Sequence, residues 1–325
     1  MERPINFFRK RHMLCGQCGL RWVVDLDWMD LWEQALEKCP GCGVTCELES
    51  APRVTVDPDD LALRDDRVSQ LAWYHTSTQP DWPARDFDPA GKLTKQTRQM
   101  MGGDDRVAQW ADRQRAKALH VGTYETAVHN MLRRIDDQAD HGSQFYLYRV
   151  YLKHAIAVRQ GWLIDPSNFV GDVALDEVCP PGVDVARYLN YHEDPGGLSL
   201  ALGRGVVAAT QRVTIPPHPT DDPRWAAAVV TELEKATKTS SRPAATRPIG
   251  RRSLPSPKSI RAREIVAPLA QRLPVNLRYP FEAATAFTDN VQPEEWARYV
   301  MGLMSMVLAP EQVLAQLDEQ TARYL

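Results

Sequence analysis

The sequence predicts an α+β fold with a cysteine-rich module before its centre and a helical tail after it. Three observations predict this: two CxxC pairs near the N-terminus, alternating apolar runs in the middle, and apolar residues at helical spacing near the C-terminus. The 325 residues exceed the length of one typical domain, which is about 100 to 200 residues. We therefore expect divisions at 1–56, 57–217, 218–263 and 264–325.

The overall composition is that of an ordinary globular chain. Its hydrophobic content of 43% supplies enough apolar material for sizeable cores, and its charged content is 25%. A net charge of -3 excludes a global bias toward nucleic acid or an anionic membrane. Residues 1–14 lack an apolar stretch of signal-peptide length, and no run of about 18 apolar residues occurs. We expect a cytoplasmic protein without membrane contact.

The N-terminal cysteines predict a structural zinc site. The stretches "CGQCG" and "CPGCG" supply Cys15, Cys18, Cys39 and Cys42, which match the CxxC, spacer, CxxC pattern of a zinc ribbon. Cys46 fits a returning strand better than a ligand position. Such a module is either a metal staple or a surface that docks a partner protein or nucleic acid, and its acidic spacer argues against phosphate contact.

The spacer between the two cysteine pairs predicts a short helix that packs over the zinc. In "WMDLWEQALEK" the apolar residues recur at the spacing of one helical face. That face consists of Trp28, Leu31, Trp32, Ala35 and Leu36.

The middle of the chain alternates strand and helix signals. A short strand, Leu71 to Tyr74, is expected to deliver the polar "HTST" to its end, and "LHVGTYETAVHNML" reads as strand, glycine turn and helix. The stretch "QFYLYRVYL" predicts a strand covered on both faces, and "LSLALGRGVVAATQRVTI" predicts two more strands joined through Gly203 and Gly205. Between them, "YLNYHEDPGG" places Glu193 where a buried strand is about to begin.

Three motifs together resemble the ADP-ribosyltransferase fold, in a branch common in bacterial and phage-encoded proteins. They are "WYHTST", "HVGTYETA" and "YLNYHEDPGGLS", and they span about half of the chain. The third is the most specific, because six of its positions agree in spacing: Tyr188, Asn190, Glu193, Pro195, Gly196 and Ser199.

The resemblance implies a split β-sandwich that grips NAD between two small sheets. His75 and Thr76 would hold the NAD ribose, and Glu193 would be the catalytic carboxylate that stabilises an oxocarbenium-like transition state and orients the acceptor. The implied site is His75 and Glu193 for catalysis, with the NAD contacts His75, Thr76, His120, Gly122, Thr123, Tyr188, Asn190 and Ser199. The implied function is mono-ADP-ribosyl transfer to a protein or nucleic acid, in a bacterial cell and in a phage or toxin-like setting.

Two positions depart from the family pattern and leave alternatives open. Thr76 stands where the family usually has glycine, and Tyr191 stands where arginine-modifying relatives have a second acidic residue. One alternative is a noncatalytic phage or bacterial structural or accessory protein, with a degenerate transferase fold and a zinc module for docking. Another is an RNA 2'-phosphotransferase, whose basic residues the motifs do not supply.

The C-terminal third predicts helices on both sides of a basic segment. Pro223 marks a helix start with Asp221 or Asp222 as its cap, and residues 235–263 hold nine Lys and Arg and no acidic residue. That segment predicts a flexible linker, either a solvated tether or a contact with a polyanion. Two amphipathic helices follow, and their apolar face builds either a small core or a docking surface for a partner: Trp296, Val300, Leu303 and Met304.

Overall fold

The computed structural model describes residues 1–47, 49–91, 93–137, 142–165, 172–217, 223–239 and 255–325. Its strands are β1 (Arg11–Leu14), β2 (Arg21–Val24), β3 (Arg53–Thr55), β4 (Trp73–Ser77), β5 (Leu119–Val121), β6 (Phe145–Leu152), β7 (Leu163–Ile164), β8 (Val185–Leu189), β9 (Leu198–Leu202), β10 (Val207–Ile215) and β11 (Arg323–Tyr324). Its helices are α1 (Leu26–Glu33), α2 (Asp65–Val68), α3 (Lys95–Met100), α4 (Asp104–Ala116), α5 (Tyr124–Asp137), α6 (Leu175–Val178), α7 (Pro223–Thr239), α8 (Pro257–Ala270), α9 (Val275–Ala284), α10 (Pro293–Leu308) and α11 (Pro310–Asp318). The mixed content confirms the α+β class.

Residues 11–56, which we call the cysteine module, form an antiparallel sheet in the order β2–β1–β3 with α1 beside it. The side chain of Asp25 caps α1, and Leu26 and Met29 of α1 pack against apolar residues of the sheet. The prediction of one apolar helical face over residues 28–36 is wrong in part. Leu31 is exposed, and α1 ends before Ala35 and Leu36. Within the described part of the module, α1 packs on the sheet and not over the cysteines.

Two four-stranded sheets form the centre, in the orders β11–β10–β6–β4 and β5–β9–β8–β7. They are joined at one edge, where Tyr74 and Gly122 exchange two backbone hydrogen bonds of 2.9 Å. Away from that edge the sheets share an apolar interior, because alternate strand residues point inward from each side. Its members include Trp73, Tyr148, Val150, Leu119, Leu189 and Leu200.

The opposite face of the first sheet is covered by helices. Phe145 and Leu147 of β6 pack with α5 and with buried residues of α7 to α11, so the prediction that β6 is covered on both faces is confirmed. The predicted α5 and the break between β9 and β10 are also present. The layers are therefore the helices, the first sheet and the second sheet, in that order. Helix α5 is one of the helices that cover the first sheet.

The first ten residues pack against the centre of the chain. The carbonyl of Met1 accepts a hydrogen bond of 2.9 Å from the backbone of Ala72, and Glu2 accepts one of 2.5 Å from the hydroxyl of Tyr74. Phe7 meets Tyr124 edge to face, with 6.0 Å between ring centroids. The predicted domain divisions stay a prediction. Apolar packing crosses two of the predicted boundaries: the contact of Phe7 crosses the boundary between 56 and 57, and the helical layer crosses the boundary between 217 and 218.

The prediction of a flexible linker over residues 235–263 is wrong at both ends of that range. Residues 235–239 finish α7, and α8 begins at Pro257 with the hydroxyl of Ser256 as its cap, so the predicted boundary at 263 falls inside a helix. Residues 240–254 lie outside the described residues, as do the predicted cap residues Asp221 and Asp222.

Helices α10 and α11 form as predicted, and their apolar face is part of the core. Trp296, Val300, Leu303 and Met304 are all buried in the helical layer. In the described residues no single helix has the length and apolarity to cross a membrane. The pair α10 and α11 meets that measure only when taken together, and it bends by 95°.

Candidate functional site

Four cysteines of the module form a cluster that could hold a metal ion. The sulfur atoms of Cys15, Cys18, Cys39 and Cys42 all lie within 4.8 Å of one another. Two of the separations are 3.8 Å, from Cys15 to Cys42, and 3.7 Å, from Cys18 to Cys39. Zinc–sulfur bonds of about 2.3 Å in a tetrahedron require sulfur atoms about 3.8 Å apart. The donor set and its spacing therefore fit a structural zinc ion with four thiolate ligands.

The two CxxC turns that build the cluster have the same backbone pattern. The amide of Cys15 donates to Leu20 and its carbonyl accepts from Gly19, and the amide of Cys39 donates to Val44 and its carbonyl accepts from Gly43, all at 2.9 Å. Both glycines have a positive φ, 73° and 75°, which a residue with a side chain adopts at a cost. The sequence prediction of two knuckles is confirmed.

The backbone of one turn also favours a thiolate. Burial alone would raise the pKa of Cys39, but the backbone amides of Cys42 and Gly41 donate to its sulfur and lower the pKa to about 7. Cys46 is free and partly exposed, and it does not belong to the cluster. A bound ion would cross-link the two turns, which is the chemistry that a closed site supplies.

His75 lies inside β4, not beyond its end, because the strand continues to Ser77. Its Nδ1 is 2.9 Å from the carbonyl oxygen of His120, which can only accept, so Nδ1 carries the proton. Its ring stacks on Trp82 at 4.0 Å between centroids. Burial, helped by the positive charge of Arg134, lowers the pKa of His75 to about 3, so the ring is neutral near pH 7.

Thr76 points to the other face of β4. It is buried, and its hydroxyl donates to the carbonyl of Ala127 in α5 at 3.1 Å. Neighbouring residues of a strand face opposite sides of the sheet. The structure therefore does not bring Thr76 beside His75, and the expected ribose contact from Thr76 has no support in its position.

His120 and Tyr188 face the side of the second sheet away from the apolar interior, so His75 contacts the backbone carbonyl of His120 and not its ring. The Nδ1 of His120 is 3.0 Å from the hydroxyl of Tyr188, and their rings meet edge to face at 5.6 Å. The Nε2 of His120 is buried and has no hydrogen-bond partner among the described residues. Ser199, opposite Tyr188 in the β8–β9 pairing, has a buried hydroxyl that also forms no hydrogen bond in this part of the chain. Such groups indicate a place for a polar ligand or water.

Gly122 and Thr123 shape the turn from β5 into α5. Gly122 makes the bridge to Tyr74, and a Cβ atom there would lie 2.8 Å from Thr126. The hydroxyl of Thr123 accepts from the amide of Thr126 at 3.0 Å and donates to Asp194 at 2.9 Å. Both predicted residues therefore hold the turn in place.

The loop between β8 and β9 is folded around Asn190. The side-chain oxygen of Asn190 accepts hydrogen bonds from the amides of His192, Glu193 and Asp194, at 3.0, 2.8 and 3.2 Å. Its backbone pairs with Gly197 at 2.9 Å and with Gly196 at 3.0 Å. Asn190 therefore fixes the loop that carries Glu193. We call residues 190–197 the Glu193 loop.

Glu193 lies at the tip of this loop, against the middle of α5. Its Oε1 accepts from Arg133 at 2.6 Å and from Asn130 at 3.2 Å, and its carbonyl accepts from His129. Its exposed fraction is 9%. Burial alone would raise the pKa of Glu193, but Arg133 and Asn130 lower it, so the carboxylate is ionised near pH 7.

The charge of Glu193 reaches His120 and Tyr188. Burial lowers the pKa of His120, and the carboxylates of Asp165 and Glu193 oppose that shift. Burial raises the pKa of Tyr188, and the same two carboxylates raise it further. His120, Tyr188 and Glu193 thus lie within electrostatic reach of one another, whereas the ring of His75 stacks on Trp82 of the apolar interior between the sheets.

Asp194 is a member of this site that the sequence did not single out. It is fully buried, and its Oδ1 accepts from Arg9 at 2.7 Å and from Arg11 at 3.1 Å. Burial alone would raise its pKa, but the two guanidinium groups keep it low. The partners lie more than 180 residues away in the chain, so no local pattern could have indicated them.

The candidate site therefore consists of the pair His120 and Tyr188, the ionised Glu193, and the Nε2 of His120 and the hydroxyl of Ser199, which form no hydrogen bond with the described residues. The cysteine cluster is a separate, closed site. No protein-family model, no curated protein and no solved structure matches this chain.

Proposed function

We propose that the chain is an NAD-dependent mono-ADP-ribosyltransferase that modifies a macromolecule. The observation that carries this proposal is that His120, Tyr188 and Glu193 lie within electrostatic reach of one another beside α5. The motifs that resemble the ADP-ribosyltransferase family supply these three residues together with His75.

The chemistry needs an ionised carboxylate beside the ribose. Cleavage of the bond between nicotinamide and ribose develops positive charge at the sugar carbon, which a fixed carboxylate stabilises. Glu193 is held ionised by its surroundings. Its Oε1 accepts from Asn130 and Arg133, and in this proposal Oε2 accepts a hydrogen bond from a ribose hydroxyl.

His75, His120 and Ser199 supply the polar contacts for NAD in this proposal. The Nδ1 of His75 is committed to a backbone carbonyl, which fixes the ring, and its Nε2 is the atom assigned to the ribose. The free Nε2 of His120 and the hydroxyl of Ser199 are further groups that a bound nucleotide would satisfy. Tyr188 orients His120, and Gly122, Thr123 and Asn190 hold the frame.

The acceptor in this proposal is a protein or a nucleic acid in a bacterial cell, and the setting is phage or toxin-like. The cysteine module is a docking element for the target, and the basic residues between 235 and 263 provide contact with a polyanion.

A second candidate function is that of a noncatalytic phage or bacterial accessory protein with the same fold. The observation that favours it is the loop after β4, which places Trp82 directly on the ring of His75. Arg323 of β11 donates to the carbonyls of Asp81 and Trp82, at 2.8 and 2.6 Å, and so ties this loop down. A covered His75 fits a protein that docks partners and does not turn over NAD.

The deciding experiment follows label from radiolabelled NAD into cell protein and nucleic acid, together with release of nicotinamide. The native chain is compared with Glu193→Gln, which removes the charge and keeps the size, and with Glu294→Gln, which changes an exposed glutamate of α10. We expect label with the native chain and Glu294→Gln, and a loss of about 100-fold or more in Glu193→Gln. Native protein that neither binds NAD nor releases nicotinamide contradicts the transferase and supports the second candidate.

A further inference from the structure

The Glu193 loop is clamped at two neighbouring residues by different parts of the protein. Glu193 contacts the middle of α5 through Asn130 and Arg133. Asp194 contacts the start of α5 through Thr123, and it also contacts the N-terminal segment through Arg9 and Arg11. The orientation of Glu193 thus depends on what holds Asp194.

The clamp on Asp194 is rigid because its members are buried. The exposed fractions are 1% for Asp194 and 2% for Arg11, and Arg9 is 26% exposed. The Asp194 side chain also folds back over its own loop, since a Cβ at Gly197 would be 2.3 Å from its Oδ2. A carboxylate held at both oxygens by three donors has little freedom to turn, and neither has the backbone beside it.

Arg11 connects this clamp to the cysteine module, and Arg9, whose carbonyl accepts a hydrogen bond from Arg11, lies just before the module in the chain. Arg11 is the first residue of β1, and β1 ends at Leu14, directly before the first cysteine of the metal cluster. Strand β3 of the same module backs onto the loop, since a Cβ at Gly196 would lie 3.1 Å from the carbonyl of Thr55. Tyr191 of the loop packs against the apolar core of the module. The module therefore touches the loop with charge, backbone and an aromatic ring.

We propose that Asp194 is a positioning residue that fixes the Glu193 carboxylate by joining the loop to the cysteine module through Arg9 and Arg11. The inference rests on the proposed transferase function. It assigns the module a role inside the catalytic domain, in addition to the docking role proposed above.

The test compares Asp194→Asn with Asp318→Asn in the full-length, zinc-loaded protein. Asp318 also pairs with a buried arginine, Arg149, at 2.6 Å, but it lies near the C-terminal strand and not at the loop. Arg9→Met removes one of the two guanidinium groups that bind Asp194. It keeps the buried ion pair between Arg11 and Asp194, so it loosens the clamp less than Asp194→Asn does.

Two readouts separate positioning from general stability. Amide hydrogen exchange, which needs no NAD, is expected to speed up by tenfold or more at residues 192–194 in Asp194→Asn and Arg9→Met, and to stay unchanged in α10. The kcat for nicotinamide release is expected to fall by about 10- to 100-fold, with KM for NAD within about threefold of the native value. Asp318→Asn is expected to leave both readouts unchanged.

Normal kcat in a folded Asp194→Asn or Arg9→Met protein, with native exchange at residues 192–194, overturns the inference. A fall in kcat that Asp318→Asn shows equally also overturns it. If the native chain itself releases no nicotinamide, the proposed function fails. The exchange data then still decide whether Asp194 holds the loop.

Discussion

Gly122 gives the sharpest test of how the site is built, because an added methyl group has no room there. A Cβ atom at Gly122 would lie 2.8 Å from two side-chain carbons of Thr126 and 2.9 Å from the hydroxyl of Ser199. Thr126 is β-branched, so its side chain has few rotamers in a helix. The backbone of Gly122 is fixed by two hydrogen bonds to Tyr74. Gly122→Ala must therefore push α5 or β9 away from the junction.

Overpacking of this kind costs about 1 to 3 kcal/mol. The reduced freedom of the unfolded chain returns about 0.4 to 1 kcal/mol on replacing glycine by alanine. We expect a net loss of up to about 2.6 kcal/mol in the free energy of unfolding, which corresponds to at most about 10 °C in Tm at about 2 to 4 °C per kcal/mol.

The assay is urea unfolding followed by circular dichroism, with Gly205→Ala as the matched control. A Cβ at Gly205 would meet no atom within 4 Å, so that variant should be about 0.4 to 1 kcal/mol more stable than the native protein. Equal stability of Gly122→Ala and Gly205→Ala would refute the close approach at the junction. A loss confined to Gly122→Ala, together with weaker NAD binding, supports it.

Three further predictions concern metal and pH. Cys39→Ser should lose the bound zinc while Cys46→Ser keeps one zinc per chain, because Cys39 belongs to the cluster and Cys46 does not. Atomic emission of the purified proteins measures the zinc content. Removal of zinc by a chelator should raise amide exchange in residues 190–197 as well as in the cysteine module, and an unchanged loop would show that the two are independent. The free energy of unfolding should fall as pH drops from 6.5 toward 3, since His75 stays neutral in the folded state down to about pH 3 while the unfolded imidazole takes up a proton near pH 6.5. Each such histidine contributes a slope of up to about 1.4 kcal/mol per pH unit, so His75→Gln should flatten the curve and the exposed His154→Gln should not.

The elements that could be predicted are those whose signals are local. The CxxC turns follow from the two residues between the thiols and the glycine after them, so Cys15, Cys18, Cys39 and Cys42 were identified from spacing alone. Strand β6 and helix α5 follow from alternating and helical apolar periods, which hold over eight and fourteen residues. In each case the residues that determine the structure lie within one element.

The parts that could not be predicted depend on distant partners. Residues 257–263, the start of α8, fall inside the predicted flexible linker because Ser, Pro and Arg dominate that range. Helix α8 forms because Ala262, Val266 and Ala270 pack into the helical layer. Thr76 was expected at a ligand site, but the pairing of β4 with β6 sets its face toward α5. The alternating pattern of a strand shows that its two faces differ, but it does not show which helix or sheet will cover each face.

The position of Glu193 also has a purely structural explanation. An ion pair between Arg133 and Glu193 would stabilise the loop by itself, but a largely buried pair is costly to desolvate and is weak evidence for a structural purpose. The loop already has a buried anchor in Asp194, with three donors, and Asn190 organises its backbone. A second buried carboxylate is not needed for that anchorage. Its ionised state within electrostatic reach of His120 and Tyr188 instead fits the catalytic carboxylate of the proposed transferase.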